Sequence, residues 1–426
     1  MKIDISQEDS EYMYNFIERI IDDIGPRMPG STSEAKAANM IKKEFEQVCD
    51  EVSIETFKFH PRAFLGWLKI VVILVFISLI SFFSIPLFQG NAYYYVISII
   101  LSSISVGINI IVFLIVWNEF FNYREYIDRF FKEKESENVI GKIKTKDELK
   151  KIILFAGHHD SALQFNLLRY LKYGYVILLF IALIVLFLWI GLSIVQLILS
   201  FFGFQTVFHR FMFWTTIIAI PSLVGCYFFI SPGKMANKVP GAVDNLSAVA
   251  TVIGLGRYLK KHPEIIPKNT EIRLVSFGSE EAGLRGAYRY VARHLIELKK
   301  YDAELVNMDG IMSNSAIQIF EYEPTTRTRH SKEVVQKILK AAELVEAPIK
   351  NFGAGTLEKI VGQISGGTDA AAFSKAKIKA ANISSMEFTK FVKFYHQPSD
   401  TIDMIQKGSL EKILSILIGY LINESK

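Results

Sequence analysis

Cysteine is nearly missing from this 426-residue chain, and the two that occur are badly placed to pair. Cys226 lies inside an apolar run and Cys49 in a polar, helix-like stretch, and neither sits in a CxxC arrangement. A disulfide-stapled fold is therefore excluded. No Lys/Arg block is dense enough to suggest nucleic-acid binding, and the net charge is only +5. The first 60 residues lack the short apolar core of a signal peptide. The largest absence is of charge itself. Residues 70–88, 93–117, 173–202 and 211–230 contain no Asp, Glu, Lys, Arg or His. The rest of the chain carries all 48 Lys and Arg and all 43 Asp and Glu, an ordinary density for a soluble domain. Composition excludes a purely soluble or a disordered protein and points to membrane segments joined to a globular domain.

A bilayer core of roughly 30 Å needs about 20 apolar helical residues to cross it, and all four runs reach that length. Trp67, Tyr93, Tyr94, Tyr95, Trp117, Tyr173 and Tyr175 stand at run ends, where aromatic rings anchor at headgroups. Pro86 and Pro221 interrupt helices, which membrane helices tolerate. The linkers Gln89–Ala92 and Gly203–Arg210 are short, so the runs pair into two hairpins, 63–117 and 173–230. Residues 1–62, 118–172 and 231–426 together form the remaining domain. Within it, Phe120, Tyr123, Ile127, Phe130 and Phe131 recur at helical spacing among charges, as expected of an amphipathic helix at the membrane surface or packed on that domain.

The non-membrane remainder reads as alternating helix and strand. Helices are expected over Tyr12–Ile24 and Ala35–Val48, then a strand over Val52–Phe59. Asn138–Ile143, Ile152–Ala156, Glu271–Phe277 and Ala303–Asn307 read as strands, with helices over Leu246–Leu259 and Gly283–Leu298. This order implies an α/β sandwich with a largely parallel, mixed sheet, plus four transmembrane helices.

Open α/β sheets place their sites at the C-terminal ends of strands, and there the acidic and histidine residues gather. Strand Ile152–Ala156 runs into Gly157-His158-His159-Asp160, and Glu271–Phe277 into Gly278-Ser279-Glu280-Glu281. Ala303–Asn307 runs into Met308-Asp309-Gly310, Pro240-Gly241-Ala242-Val243-Asp244-Asn245 precedes a helix, and Tyr395-His396-Gln397-Pro398-Ser399-Asp400-Thr401 lies near the C-terminus. Each feature alone has an ordinary explanation: an Asp before a helix is usually an N-cap, and paired glutamates usually mark a solvated helix start. Five in succession on one sheet edge supply two His and three carboxylates, the ligand set expected for zinc. His60, His209, His262, His294 and His330 have no motif context and are expected at the surface.

This ordered set resembles the co-catalytic di-zinc aminopeptidases of peptidase family twenty-eight, relatives of glutamate carboxypeptidase and glutaminyl cyclase. The resemblance runs from the Gly25-Pro26-Arg27 loop to Asp400-Thr401. Gly366-Gly367-Thr368-Asp369 also resembles a neighbouring family of the same clan. The resemblance implies two Zn2+ ions: His158 and Asp309 on one, Glu281 and His396 on the other, and Asp244 bridging, its bond to Asn245 cis. It also implies Glu280 as general base and Asp160 as the acceptor of the other ring N–H of His158. His159 is read as lining the pocket or supporting it, not as a ligand. The 86 positions between His158 and Asp244, where relatives have a short connection, reflect the inserted second hairpin.

The expected function is that of a membrane-bound zinc aminopeptidase acting on peptide substrates, with the bilayer as its other partner. Carboxypeptidase or glutaminyl cyclase chemistry on the same scaffold is the first alternative, and a catalytically inactive, receptor-like relative the second. A transporter is the third, and the lack of ionisable residues in the spans argues against ion or proton coupling. Because each hairpin leaves and re-enters one side, the segments outside them share that side. Ten Lys/Arg, among them Arg62, Arg129, Lys172 and Lys238, flank the outer ends, against Arg210 alone in the linkers. That bias predicts a multi-pass cell-membrane protein with its catalytic domain in the cytoplasm.

Overall fold

The structure, a computed structural model, describes residues 3–353, 362, 366–387 and 389–425. The chain divides into two compact units, one of residues 1–61, 132–164 and 233–426, the other of 62–131 and 165–232.

The first unit is built on an eight-stranded sheet of strands β1 (Glu51–Phe59), β2 (Lys134–Ile143), β3 (Lys151–His158), β4 (Thr270–Phe277), β5 (Glu304–Met308), β6 (Ile317–Phe320), β9 (Ile349–Asn351) and β10 (Lys379–Ser384). A separate ribbon pairs β7 (Tyr322–Glu323) with β8 (Thr328–Arg329). The sheet order is β1-β2-β4-β3-β5-β10-β6-β9. Pairings β3–β4, β3–β5, β5–β10 and β6–β9 are parallel, and β1–β2, β2–β4 and β6–β10 antiparallel. This is the mixed α/β arrangement expected. β4 and β5 are buried along their whole length and β3 along all but Lys151. That burial is why they read as continuous apolar runs and not as alternating ones.

Helices cover both faces. Helices α1 (Gln7–Asp23) and α2 (Thr32–Glu46) precede the sheet, and each starts on a serine cap. Ser6 accepts from the Asp9 amide at 3.1 Å and Ser31 from the Glu34 amide at 3.2 Å. Two further helices are Ser247–Lys261, directly after Asp244, and Arg285–Lys300, after the Glu280–Glu281 turn. The second of these packs Ala287, Tyr290, Val291 and Leu298 with Leu154, Val275, Phe277 and Phe373. On the opposite face Phe155 meets Tyr420 edge-on, ring centroids 6.1 Å apart. With these faces closed, the polar residues just past the strand ends are left to gather at one edge of the sheet.

The second unit holds four helices long and apolar enough to cross a membrane: α3 (Ala63–Phe83), α4 (Tyr94–Glu119), α6 (Gly174–Phe201) and α7 (His209–Tyr227), with short α5 (Asn166–Leu171) before the third. At 1.5 Å per residue even the 19-residue α7 is about 28 Å long. Several polar side chains of these helices are buried and hydrogen-bonded within the unit. Ser78 and Ser105 hydroxyls lie 2.8 Å apart, Asn109 Nδ2 donates to Ser193 Oγ at 3.0 Å, and Gln196 Nε2 donates to the Phe204 carbonyl at 2.8 Å. Ile80, Ile184, Trp214 and Ile218 face outward, each more than 60% exposed. The exterior is thus apolar, while the interior combines an apolar cluster with these few polar contacts.

Two expectations are corrected here. Residues 120–131 are not an amphipathic helix: turns lead to one 3-10 turn, Asp128–Phe130. The buried Glu119 carboxylate accepts the amides of Tyr126 and Ile127, both at 2.9 Å, and folds the chain back, while Tyr123 takes a positive φ of 54° that ends helical continuation. The compact units also divide at 131/132 and 164/165, not at the expected 117/118 and 172/173, because Phe120, Phe121, Ile127 and Phe131 pack into the apolar cluster of the four helices.

Candidate metal centre

Each element delivers one functional group to the same place. β3 ends at His158, β4 leads into the 3-10 turn Glu280–Ala282, and β5 is followed by Asp309. Asp244 sits in the irregular turn before helix Ser247–Lys261, and the Asp244–Asn245 peptide is cis. His396, with φ 51°, follows a short helix Phe391–Phe394.

Asp244 stands at the centre. Its Oδ1 lies 3.2 Å from His158 Nε2, and its Oδ2 lies 3.6 Å from His396 Nε2. His396 Nε2 is in turn 3.4 Å from Glu281 Oε2, and His158 Nε2 is 3.9 Å from Asp309 Oδ1. Two groups result, each able to hold a metal ion: His158, Asp244 and Asp309, and Asp244, Glu281 and His396, with ligand atoms within 4.8 Å of one another in each. Glu280 Oε2 is 3.8 Å from His158 Nε2, beside the first group, yet Glu280 belongs to neither. The structure thus brings His158, Asp244, Glu281, Asp309 and His396 together at one place.

Asp160 lies beneath. Its Oδ1 is 3.2 Å from His158 Nδ1, and its two oxygens accept the amides of Glu280 (3.1 Å) and Glu281 (3.0 Å). One carboxylate therefore stands against the ring of His158 and holds the turn that carries the glutamate pair. His159 faces away: it is fully buried, its Nδ1 is 2.9 Å from Ser276 Oγ, and burial lowers its pKa to about 4.

The electrostatics are those of a cation site. Burial, and then neighbouring carboxylates that outweigh the charge on His158, push Glu280, Glu281 and Asp309 well above the carboxylate range. Burial drives His396 down to about 4, which keeps the ring neutral and able to ligate. His158 is raised: burial opposes its charged form, but Glu280, Asp160 and Asp244 prevail. His158 Nε2 and Glu281 Oε1 are buried with no hydrogen-bond partner among the described residues. Such a concentration of buried negative charge and unsatisfied donors to a metal costs several kcal/mol unless a cation compensates it, so the residues fit a pair of divalent ions.

Sequence reasoning named Asp400 and Asp369 only as parts of motifs. Asp400 Oδ1 accepts the Val243 amide at 2.7 Å and Oδ2 the Asp244 amide at 3.2 Å, which anchors the central ligand. Asp369 is 1% exposed, both its oxygens lack a hydrogen bond among the described residues, and burial raises it to about 7. Glu34 carried no signal beyond its place three residues after Ser31. It is buried, and its Oε1 takes the Ser279 amide and the Ser136 hydroxyl, both at 2.8 Å. His330 is not at the surface as expected. It is 4% exposed, between Glu323 Oε1 and Ser374 Oγ, each at 2.9 Å, and that polar pair is what admits it to the interior.

With the fold and the geometry of the site in view, the chain resembles peptidase family M28 over its C-terminal part. Residues 229–421 match Peptidase family M28. A curated relative, aminopeptidase YwaD of Bacillus subtilis, is 31% identical over 176 residues, which are 41% of this chain and 35% of that protein. The chain thus spans about a third of the length of the curated relative it matches. Among solved structures, an aminopeptidase from Aneurinibacillus sp. strain AM-1 aligns with 98% of this chain and 93% of its own at 16% identity, TM-score 0.53. BSAP, a zinc aminopeptidase from Bacillus subtilis, aligns over 99% and 96% at 16% identity, TM-score 0.54. A glutaminyl cyclase from Fimbriiglobus ruber aligns over 99% and 96% at 12% identity, TM-score 0.54. At these identities the structures share the fold with this chain.

Proposed function

We propose that the protein is a membrane-embedded metallopeptidase that uses two zinc ions to remove N-terminal residues from peptides. The observation that carries this reading is the placing of Asp244, whose two oxygens face two separate ligand groups at 3.2 and 3.6 Å while Glu280 stands beside them uncommitted. The zinc aminopeptidase fold neighbour and the match to family M28 support it.

His158 and Asp309 would hold one ion, Glu281 and His396 the other, and Asp244 both. Dications bound there would polarise the scissile carbonyl and lower the pKa of a water toward about 7. The chain's own residues do the rest. Glu280 accepts the water's proton on its carboxylate and passes it to the departing amine. Burial raises its pKa above the usual carboxylate range, which makes it a stronger proton acceptor than a solvated glutamate. Asp160 holds the Glu280 and Glu281 amides and the His158 ring, so the base and a ligand of each group move as one body. Four helices long and apolar enough to cross a membrane support attachment to a bilayer, and the Lys/Arg bias at their ends favours a cytoplasmic active site.

The test is incubation of the zinc-loaded full chain with a free peptide library and with its N-acetylated counterpart. N-terminal residues should be released from the free set alone. Release of C-terminal residues from both sets would overturn the aminopeptidase reading in favour of a carboxypeptidase.

A further inference from the structure

The 165–232 segment separates His158 from Asp244, and something must hold the two sides of that gap in register. Gly25–Met28 lies across it. Arg27 is fully buried, and among the described residues its guanidinium donates to backbone carbonyls alone: Nε to His159 at 2.8 Å, Nη1 to Gly25 at 2.9 Å and to Pro240 at 2.8 Å, and Nη2 to Gly241 at 3.2 Å. His159 adjoins one ligand on the near side of the gap, and Gly241 precedes another by three residues on the far side. The backbone of the same loop adds a second layer. The Arg27 amide donates to Ser161 Oγ at 2.8 Å, and its carbonyl accepts the Ser161 amide at 3.1 Å. The Met28 amide donates to Asn237 Oδ1 at 3.1 Å.

The far side is shaped to receive the guanidinium. Gly241 has a φ of 65°, and a Cβ there would stand 2.9 Å from Arg27 Nη2 and 2.6 Å from the Asp244 carbonyl. Burial lowers the Arg27 pKa to about 10, with Asp160, Asp400 and Glu34 opposing, so the group stays charged at neutral pH. A buried arginine ordinarily meets carboxylates in bidentate pairs. This one instead ties three separate stretches of backbone, two of which carry ligands.

We propose that Arg27 is a positioning residue of the metal centre: it clamps the His158 loop to the Asp244 loop across the inserted segment and so sets the spacing of the first ligand group. The inference rests on the two-metal reading above, and it makes the N-terminal loop, which lies outside the matched residues 229–421, a working part of the site.

The test measures stepwise zinc affinity of the metal-free full chain by chelator competition, in wild type, Arg27→Ala and Arg27→Lys, together with the thermal midpoint of each metal-free protein. Arg27→Ala should weaken one of the two ions by about 10- to 100-fold, the range for loss of a group that orients a ligand, and the other by a smaller factor. Guanidinium chloride at low millimolar concentration should restore the affinity. Arg27→Lys keeps the charge, but its single compact ammonium cannot reach all four carbonyls as the guanidinium fork does, so it should show the same unequal loss without rescue, and it decides the matter if the alanine variant does not fold. Wild-type affinity in a folded Arg27→Lys protein would overturn the proposal. So would an equal loss at both ions that guanidinium does not restore, since that is the mark of general destabilisation. A wild-type chain that binds no zinc would instead overturn the two-metal reading, and the two failures are distinguishable.

Discussion

Replacing Glu280 by Gln changes one oxygen to an amide nitrogen and leaves shape and volume nearly unaltered. The Glu280 backbone is held by Asp160 at 3.1 Å, and its side chain lies in neither ligand group, so the fold and both metal sites should survive. What disappears is the capacity to take a proton beside His158, 3.8 Å away. General acid–base catalysis contributes about 10²- to 10⁴-fold, so turnover should fall by two to four decades. That is roughly 3–5 kcal/mol of transition-state stabilisation at about 1.4 kcal/mol per decade. KM should change little, because the substrate's contacts with the ions and pocket are untouched. The assay pairs steady-state release of N-terminal residues with zinc content per chain. If Glu280→Gln lost zinc in proportion to activity, Glu280 would be a ligand and Glu281 the base, and the assignment of the pair would be reversed.

Asp244→Asn should weaken both ions at once, since one carboxylate faces both groups; two ions still held at wild-type affinity would remove its shared role. Asp369 has a pKa raised from 3.8 to about 7 by burial, so its folded form favours the proton. Its stabilising contribution is complete below about pH 4 and is lost as pH rises toward 7. Metal-free Asp369→Asn should therefore gain thermal stability over wild type as pH rises from 4 to 8, and a constant difference between the two melting curves would contradict the shift. For orientation, a cysteine at exposed Lys146, in a chain with Cys49 changed to Ser, should resist an impermeant thiol reagent in intact cells and react after lysis. Labelling in sealed cells would reverse the side assigned to the catalytic domain.

The parts of the molecule legible in the sequence are those encoded locally. The β3, β4 and β5 strands are buried nearly throughout, so their apolar runs stand out, and the polar residues just past their ends mark the site. The four apolar helices are equally plain, because charge is absent from each over a length that spans a bilayer. What escaped depends on partners far away in the chain. Arg27 reads as a turn residue until His159 and Pro240 are seen at its guanidinium, and Glu34 as a helix cap until Ser279 is found on its carboxylate. His330 looks solvent-bound until Ser374 and Glu323 enclose it. The helix expected after residue 119 fails for a similar reason, since apolar spacing does not reveal that Glu119 will cap Tyr126 and Ile127 or that Tyr123 will adopt positive φ.

The central claim is that one carboxylate organises two metal ions for peptide hydrolysis. The most direct test is native mass spectrometry of the metal-free chain titrated with zinc, with release of an N-terminal residue followed in the same samples. The account predicts two zinc ions per chain, with full activity reached only as the second site fills. A chain that binds a single ion and is then fully active would contradict it.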